Sequence, residues 1–209
     1  RLLNINFLKM KNKLLLSLSA FAIAMFVLSG CAKVPQVEID NANLAIQEAQ
    51  AAGADIYVPE AYSALQDSFN VANESIEAKK SKLFKSYKKE KAQLVNVVAL
   101  GSDVKAKTEA RINELKAEIQ NTLASVGTLV EECNALVGQA PRGKEGSTAL
   151  MAIKADIATI QTSVAEVQAA VGTESFIATL DKAKAVREQA ASIKAELESV
   201  IEKYKSRRK

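Results

Sequence analysis

The chain of 209 residues contains no histidine, no tryptophan, two cysteines and three prolines. Without histidine there is no imidazole to act as a general acid or base near neutral pH. So few cysteines cannot build the usual zinc site or a disulfide framework. Glycine-rich phosphate loops and Gly-x-Ser-x-Gly motifs do not occur either. These absences predict that the protein is not an enzyme and that it uses no metal and no cofactor.

The first 30 residues have the layout of an export signal. A lysine-rich start is followed by an apolar run from Leu14 to Leu28, then by Ser29, Gly30 and Cys31. A helix needs roughly 20 apolar residues to cross a bilayer, so this run favours a cleaved signal over a membrane anchor. We predict a signal peptide over residues 1–30, with the true start of translation at Met10.

The sequence Leu28-Ser29-Gly30-Cys31 resembles the lipobox of bacterial lipoproteins. The resemblance implies cleavage between Gly30 and Cys31, together with acyl chains such as palmitate on Cys31. Two or more acyl chains hold a protein stably on a membrane. The implied location is therefore the bacterial cell envelope, and Ala32 after the cysteine favours the periplasmic side of the outer membrane.

Charge is distributed unevenly along the chain. Residues 1–30 hold four of the 28 Lys and Arg and no acid, so the remaining chain has 24 charges of each sign. Nucleic acid is therefore not an expected partner. Seven lysines fall between residues 79 and 91 around Glu90, and a second basic cluster occupies residues 203–209. These clusters are either solvated helix faces or contacts for anionic envelope polymers or lipid headgroups.

After the leader, the chain is predicted to be all-α. We expect a lipidated, extended tether over residues 31–40 and a first helix over 41–52, capped by Asp40 or Asn41. Gly53 can end this helix in the left-handed conformation, and Pro59 suits the first turn of the next one. The predicted domains are an N-terminal helical region over 41–137, a loop or hinge over 138–148, and a C-terminal helical hairpin with a basic tail over 149–209.

Apolar residues recur at alternating steps of three and four, which is typical of a coiled-coil seam. Gly101, Lys105 and Thr108 are expected to interrupt the second of these seams, with bending or fraying near Gly101. Cys133 falls on the third seam and is predicted to be a buried apolar residue. The seams are Tyr62, Leu65, Phe69, Ala72 and Ile76; Phe84, Tyr87, Leu94 and Val98; Ile112, Leu115, Ile119, Thr122, Val126, Leu129, Cys133 and Leu136; Leu150, Ile153, Ile157, Ile160, Val164, Val167 and Val171; and Phe176, Ala183, Val186, Ala190, Ile193, Leu197, Val200 and Tyr204.

Two alternatives for the seams stay open. They either pack on each other within an elongated helical bundle of antiparallel coiled-coil hairpins, or they leave a face for another chain. The second alternative would give a homo-oligomer or a docking surface for an envelope protein. A new helix is expected after the stop and cap signal at Gly172-Thr173.

Two further resemblances concern the two ends of the mature chain. The segment Ala52-Gly53-Ala54-x-x-Tyr57-Val58-Pro59-Glu60 is similar to a motif of an uncharacterised family of alanine-rich helical envelope lipoproteins. The basic ending Tyr204-Lys205-Ser206-Arg207-Arg208-Lys209 is similar to the tail of the major murein lipoprotein. The latter resemblance implies that the Lys209 side chain is joined to peptidoglycan.

Together these features predict a lipid-anchored envelope protein with a structural or protein-interaction role, including a tether between membrane and peptidoglycan. The alternative is an accessory or adaptor subunit of an envelope complex.

Overall fold

A computed structural model describes residues 33–83, 85–140 and 144–206 of the chain. In this part of the chain the structure is all-α, as the sequence predicts. Its helices are α1 (Gln36–Ala51), α2 (Ala54–Tyr57), α3 (Pro59–Lys80), α4 (Lys88–Gln139), α5 (Lys144–Ala170) and α6 (Phe176–Ser206). None of the described helices has both the length and the apolar character needed to cross a bilayer.

The chain forms two compact units, which meet within α4 between Thr108 and Glu109. The first unit contains α1, α2, α3 and the beginning of α4. The second contains the remainder of α4 together with α5 and α6.

In the first unit, α1 and α4 run parallel to each other and α3 runs antiparallel to both. Ion pairs between Glu38 and Lys91 and between Glu48 and Lys105 fix the parallel pair. The buried core combines alanines of α1, α2 and α3 with larger apolar side chains of α3, of α4 and of the residue before α4: Ala42, Ala49, Ala54, Tyr62, Leu65, Ala72, Ile76, Tyr87, Leu94, Val97 and Val104. Small residues on α1 let the other two helices approach it closely.

The second unit follows the same up-down-up order. Cys133 of α4, Ile153 and Ile157 of α5, and Leu197 of α6 form one buried cluster. Ion pairs from Lys184 to Glu118 and from Lys194 to Glu132 join α6 to α4, both with N–O distances of 2.8 Å. In this unit the predicted seams therefore pack against each other within the chain.

The first helix begins at Gln36, so its predicted start at Asn41 is wrong, and residues 36–40 of the predicted extended tether are helical. Neither Asp40 nor Asn41 caps the helix, because both lie inside it. The reason for the early start is an apolar stripe, Ile39, Ala42, Ile46 and Ala49, which continues the 3-4-3 spacing back toward Pro35. Ala42 and Ala49 are fully buried, and Ile39 and Ile46 pack against the same core.

The corner between α1 and α3 matches its prediction. Gly53 adopts φ +90° after α1, and α3 begins at Pro59. The short α2 fills the corner, where Ala54 is fully buried and the Tyr57 amide donates to the Gly53 carbonyl at 3.0 Å. The motif Gly-Ala-x-x-Tyr-x-Pro-Glu thus has a structural role in joining two helices.

The connection between α5 and α6 differs from its prediction in the residue that caps α6. α5 ends at Ala170, and Gly172 adopts φ +88°. The predicted cap, Thr173, instead donates its hydroxyl to the carbonyls of Ala169 and Ala170. The side chain of Ser175 caps α6 by accepting from the Ala178 amide at 3.2 Å. The loop therefore extends two residues beyond the predicted cap, as far as Ser175.

Candidate functional site

Of the residues singled out from the sequence, Gly30, Cys31 and Lys209 lie outside the described residues. The predictions of signal cleavage, lipidation and peptidoglycan attachment therefore stay predictions. Cys133 lies inside the second unit and is buried, with its thiol 3.9 Å from the Ala190 carbonyl oxygen. Burial raises the pKa of this thiol. The prediction that Cys133 is a buried apolar residue is confirmed.

The most unusual arrangement of charge lies at the connection between α3 and α4, which we call the basic corner (residues 79–83 and 85–91). At its base lies Glu90, whose side chain is fully buried. Its carboxylate accepts hydrogen bonds from Lys79 at 2.9 Å and from Ser75 at 2.8 Å. Burial alone would raise the pKa of Glu90, but these hydrogen bonds outweigh it and hold the pKa below its ordinary value of 4.5. Glu90 is thus a buried anion that joins α3 to α4.

The backbone of the basic corner is held in place by the same lysines. The Lys79 ammonium also donates to the Ser86 carbonyl at 3.1 Å, and the Lys85 ammonium donates to the Lys80 carbonyl at 2.8 Å. Tyr87 anchors the end of the connection, since its side chain is only 2% exposed and belongs to the core. The described residues at both ends of the connection are therefore held to the helices of the unit.

Three acids at or near the basic corner each pair with a lysine. Glu90 pairs with Lys79, Glu77 with Lys80, and Glu38 with Lys91. The hydrogen bond from Lys91 lowers the pKa of Glu38. Four cations of the corner then have no acidic partner among the described residues: Lys82, Lys85, Lys88 and Lys89. The corner therefore presents uncompensated positive charge to solvent.

Helix stability does not account for the positions of three of these lysines. Lys79 and Lys80 end α3, where cations complement the helix dipole. Lys88 and Lys89 instead occupy the first turn of α4, where a cation is unfavourable, and Lys82 lies between the helices. In the connection between the two helices, next to Lys82 in sequence, the Leu83 side chain is 87% exposed. The corner thus combines an exposed apolar tip with cations that the helices do not need.

Comparison of the chain with protein-family models, with curated proteins and with solved structures finds no match. The function is therefore inferred from the sequence and from the arrangement of the described side chains. Among them, no group of three or more acidic or cysteine side chains is placed to hold a metal ion.

A second feature of the first unit is an open groove of about 390 Å³ between α3 and α4. Three apolar and four polar residues line it: Val71, Val97 and Leu100, with Asp67, Ser68, Gln93 and Asn96. Val71 is 55% exposed, and the buried Oε1 atom of Gln93 has no hydrogen-bond partner among the described residues. A groove with exposed apolar side chains and an unpaired amide oxygen is suited to another polypeptide or a small amphipathic ligand.

Sequence reasoning found the lysines of the corner but not their arrangement. The order of Lys79, Glu90 and Lys91 along the chain does not reveal that Glu90 pairs with Lys79 while Lys91 pairs with Glu38. One sequence feature points to the unusual charge of the corner: two lysines, Lys88 and Lys89, at the start of a helix. This feature can be recognised only when the helix is known to begin at Lys88.

Proposed function

We propose that this chain is a lipid-anchored protein of the bacterial cell envelope with a structural or protein-interaction role. The observation that carries the proposal is the sequence Leu28-Ser29-Gly30-Cys31 at the end of a basic and then apolar leader. Export through such a leader places the remaining chain outside the cytoplasm, and acylation of Cys31 attaches it to a membrane. The proposal assigns no catalytic activity to the protein.

The described helices support a structural role. The first of the two helical units begins at Gln36, five positions after Cys31, and the groove between α3 and α4 is open to solvent. The basic ending of the chain supports one particular structural role, a tether whose Lys209 side chain is joined to peptidoglycan.

Acylation is tested by labelling cells that express the full chain with an alkyne analogue of palmitate. We expect the wild type and Cys133→Ser to carry the label and Cys31→Ser to lose it. Mass spectrometry of the mature N-terminal peptide should find it beginning at an acylated Cys31. A mature chain that retains residues before Cys31, or an unmodified Cys31 thiol, would overturn the proposal.

The tether is tested by digesting purified cell wall and searching for muropeptides joined to the chain. A muropeptide on the Lys209 side chain, lost in Lys209→Ala and kept in Lys205→Ala, supports the tether. Its absence from the wild type overturns this part of the proposal and leaves lipid anchoring unaffected.

The second candidate function is an accessory or adaptor subunit of an envelope complex, and the α3–α4 groove favours it. A photocrosslinking amino acid at Val71 would lie in the groove, and the same amino acid at Leu44 is a matched control. Both positions are apolar and similarly exposed, at 55% and 54%. One dominant protein adduct from Val71 that is missing from Leu44 supports the adaptor. Equal adducts from both positions contradict it.

A further inference from the structure

We propose that the basic corner is a docking surface for an anionic lipid bilayer, which it contacts with Lys82, Lys88 and Lys89 around an inserted Leu83. This inference rests on the proposed lipid anchor, because it names the surface that the anchored unit faces. Four observations carry it. The first helix starts at the end of the unit that holds the basic corner, and the corner has lysines without acidic partners. Its Leu83 side chain is exposed, and hydrogen bonds and core packing hold the residues on both sides of that tip.

The start of α1 and the basic corner lie at the same end of the first unit. The ion pair between Glu38 and Lys91, with an N–O distance of 2.7 Å, places the first turn of α1 beside the first turns of α4. Cys31 precedes Gln36 by five positions, and an extended chain spans at most about 3.6 Å per residue. A lipid attached to Cys31 would therefore keep this end of the unit within roughly 20 Å of the headgroups.

The two ends of the first unit differ in charge. The opposite end, around Gly53 and Pro59, carries exposed acids such as Asp55 and Glu60. The end with the basic corner carries four lysines without an acidic partner, and exposed Lys33 precedes α1 at the same end. An anionic surface would attract one end of the unit and repel the other, which orients the unit on the bilayer.

The apolar tip favours a bilayer over a soluble polyanion. Leu83 is the most exposed of the large apolar side chains in the described residues. A polyanionic glycan offers this side chain no apolar environment, whereas the headgroup region of a bilayer does. Lysines around the tip can extend their ammonium groups to the phosphates while their methylenes stay near the acyl boundary.

The corner is also fixed before it meets a ligand. Lys79 holds the Ser86 carbonyl and the buried Glu90 together, and Tyr87 is packed into the core. Little backbone entropy would therefore be lost on either side of Lys82 and Leu83 when these residues engage a surface, and the main entropic cost is that of their side chains.

The test uses the mature chain, residues 31–209, with Cys31→Ser, so that any binding is independent of acylation. The packing of both units lies within residues 33–206 and is retained in this protein. Binding is measured by flotation with vesicles of equal parts phosphatidylglycerol and phosphatidylcholine, with pure phosphatidylcholine vesicles for comparison. We expect binding only to the anionic vesicles, and we expect salt to weaken it.

Each lysine at an anionic surface contributes about a fivefold factor, so K82Q/K88Q/K89Q should weaken binding about 100-fold. The matched control K107Q/K154Q/K203Q makes the same change in net charge at exposed lysines elsewhere. It should weaken binding much less, because in this inference only the lysines of the basic corner lie at the lipid surface. Leu83→Ser keeps the charge and should weaken binding about tenfold by removing the apolar insertion. Circular dichroism of each variant confirms that the helices are retained.

Several results would overturn the inference. Equal binding to both kinds of vesicle excludes recognition of anionic lipid, and an equal loss in both triple variants shows a diffuse charge effect. Binding to purified peptidoglycan that is as strong as binding to anionic vesicles and unchanged in Leu83→Ser would assign the corner to a polymer. The acylation experiment on Cys31 is independent of these results, so the two proposals can fail separately.

Discussion

The close contact between α1 and α4 at Gly101 predicts that the same substitution changes the free energy of unfolding in opposite directions at two glycines of α4. Gly101 and Gly127 both lie inside α4, and replacing a helical glycine by alanine normally stabilises a helix by about 1 kcal/mol. At Gly101, however, an added Cβ would lie 2.8 Å from the Ala45 Cβ and 3.2 Å from the Ala45 carbonyl oxygen. At Gly127 nothing lies within 4 Å of the added atom.

Ala45 has no flexible side chain that could move aside, so α1 and α4 would have to separate. Overpacking of this kind costs about 1–3 kcal/mol, which outweighs the gain in helix propensity. We expect Gly101→Ala to lower the free energy of unfolding by about 1 kcal/mol. Gly127→Ala should raise it by about 1 kcal/mol.

Urea unfolding followed by circular dichroism measures both free energies. Hydrogen exchange then assigns each effect to a unit, because peptides from α3 report on the first unit and peptides from α6 on the second. Gly101→Ala should speed exchange in α3 and leave α6 unchanged. A rise in the free energy of unfolding equal to that of Gly127→Ala would refute the argument that Gly101 is required for close packing.

Three further predictions concern buried or capping groups. Glu90→Gln should lower the free energy of unfolding at neutral pH by about 1–3 kcal/mol, because it leaves a lysine without its buried anion. The pKa of Glu90 is lower in the folded state than in the unfolded state, so the stabilisation by its carboxylate is present above pH 4.5. This stabilisation is lost as the pH falls through the folded pKa. Urea unfolding at successively lower pH below 4.5 should therefore bring the free energies of unfolding of variant and wild type together. The Cys133 thiol should react with a disulfide reagent far more slowly in the folded protein than in urea, and equal rates would contradict its burial. Ser175→Ala should destabilise α6 by about 1 kcal/mol in thermal unfolding, whereas Thr173→Ala, which removes no cap, should cost less.

The helical character of the chain and most of its buried positions follow from periodicity. The predicted seam of α3 is buried or half-buried at all five positions, from Tyr62 to Ile76. The seam of α4 from Leu115 to Cys133 is likewise directed into the core. Apolar residues at steps of three and four lie on one side of any helix, so this information is local and can be read without a partner.

The prediction was wrong where small or polar residues occupy a seam. Gly101, Lys105 and Thr108 were expected to interrupt the second seam, with bending or fraying near Gly101. Instead, α4 continues through this region with one buried stripe: Leu94, Val97, Gly101, Val104 and Thr108. Thr108 can be buried because its hydroxyl donates to the Val104 carbonyl at 2.8 Å. Gly101 fits because Ala45 lies against it. Phe84, which was placed on the same seam, lies outside the described residues.

By itself, the sequence determined the all-α class, the corner at Gly53 and Pro59, and the burial of Cys133, because propensity, turn chemistry and apolar spacing act over a few residues. Only the tertiary structure decided which lysine pairs with which acid. It decided that α4 packs with α1 and α3 up to Thr108 and with α5 and α6 from Glu109 onward. It also decided that the start of α1 lies beside the basic corner. These features depend on contacts between residues far apart in the chain, and no local pattern encodes such contacts.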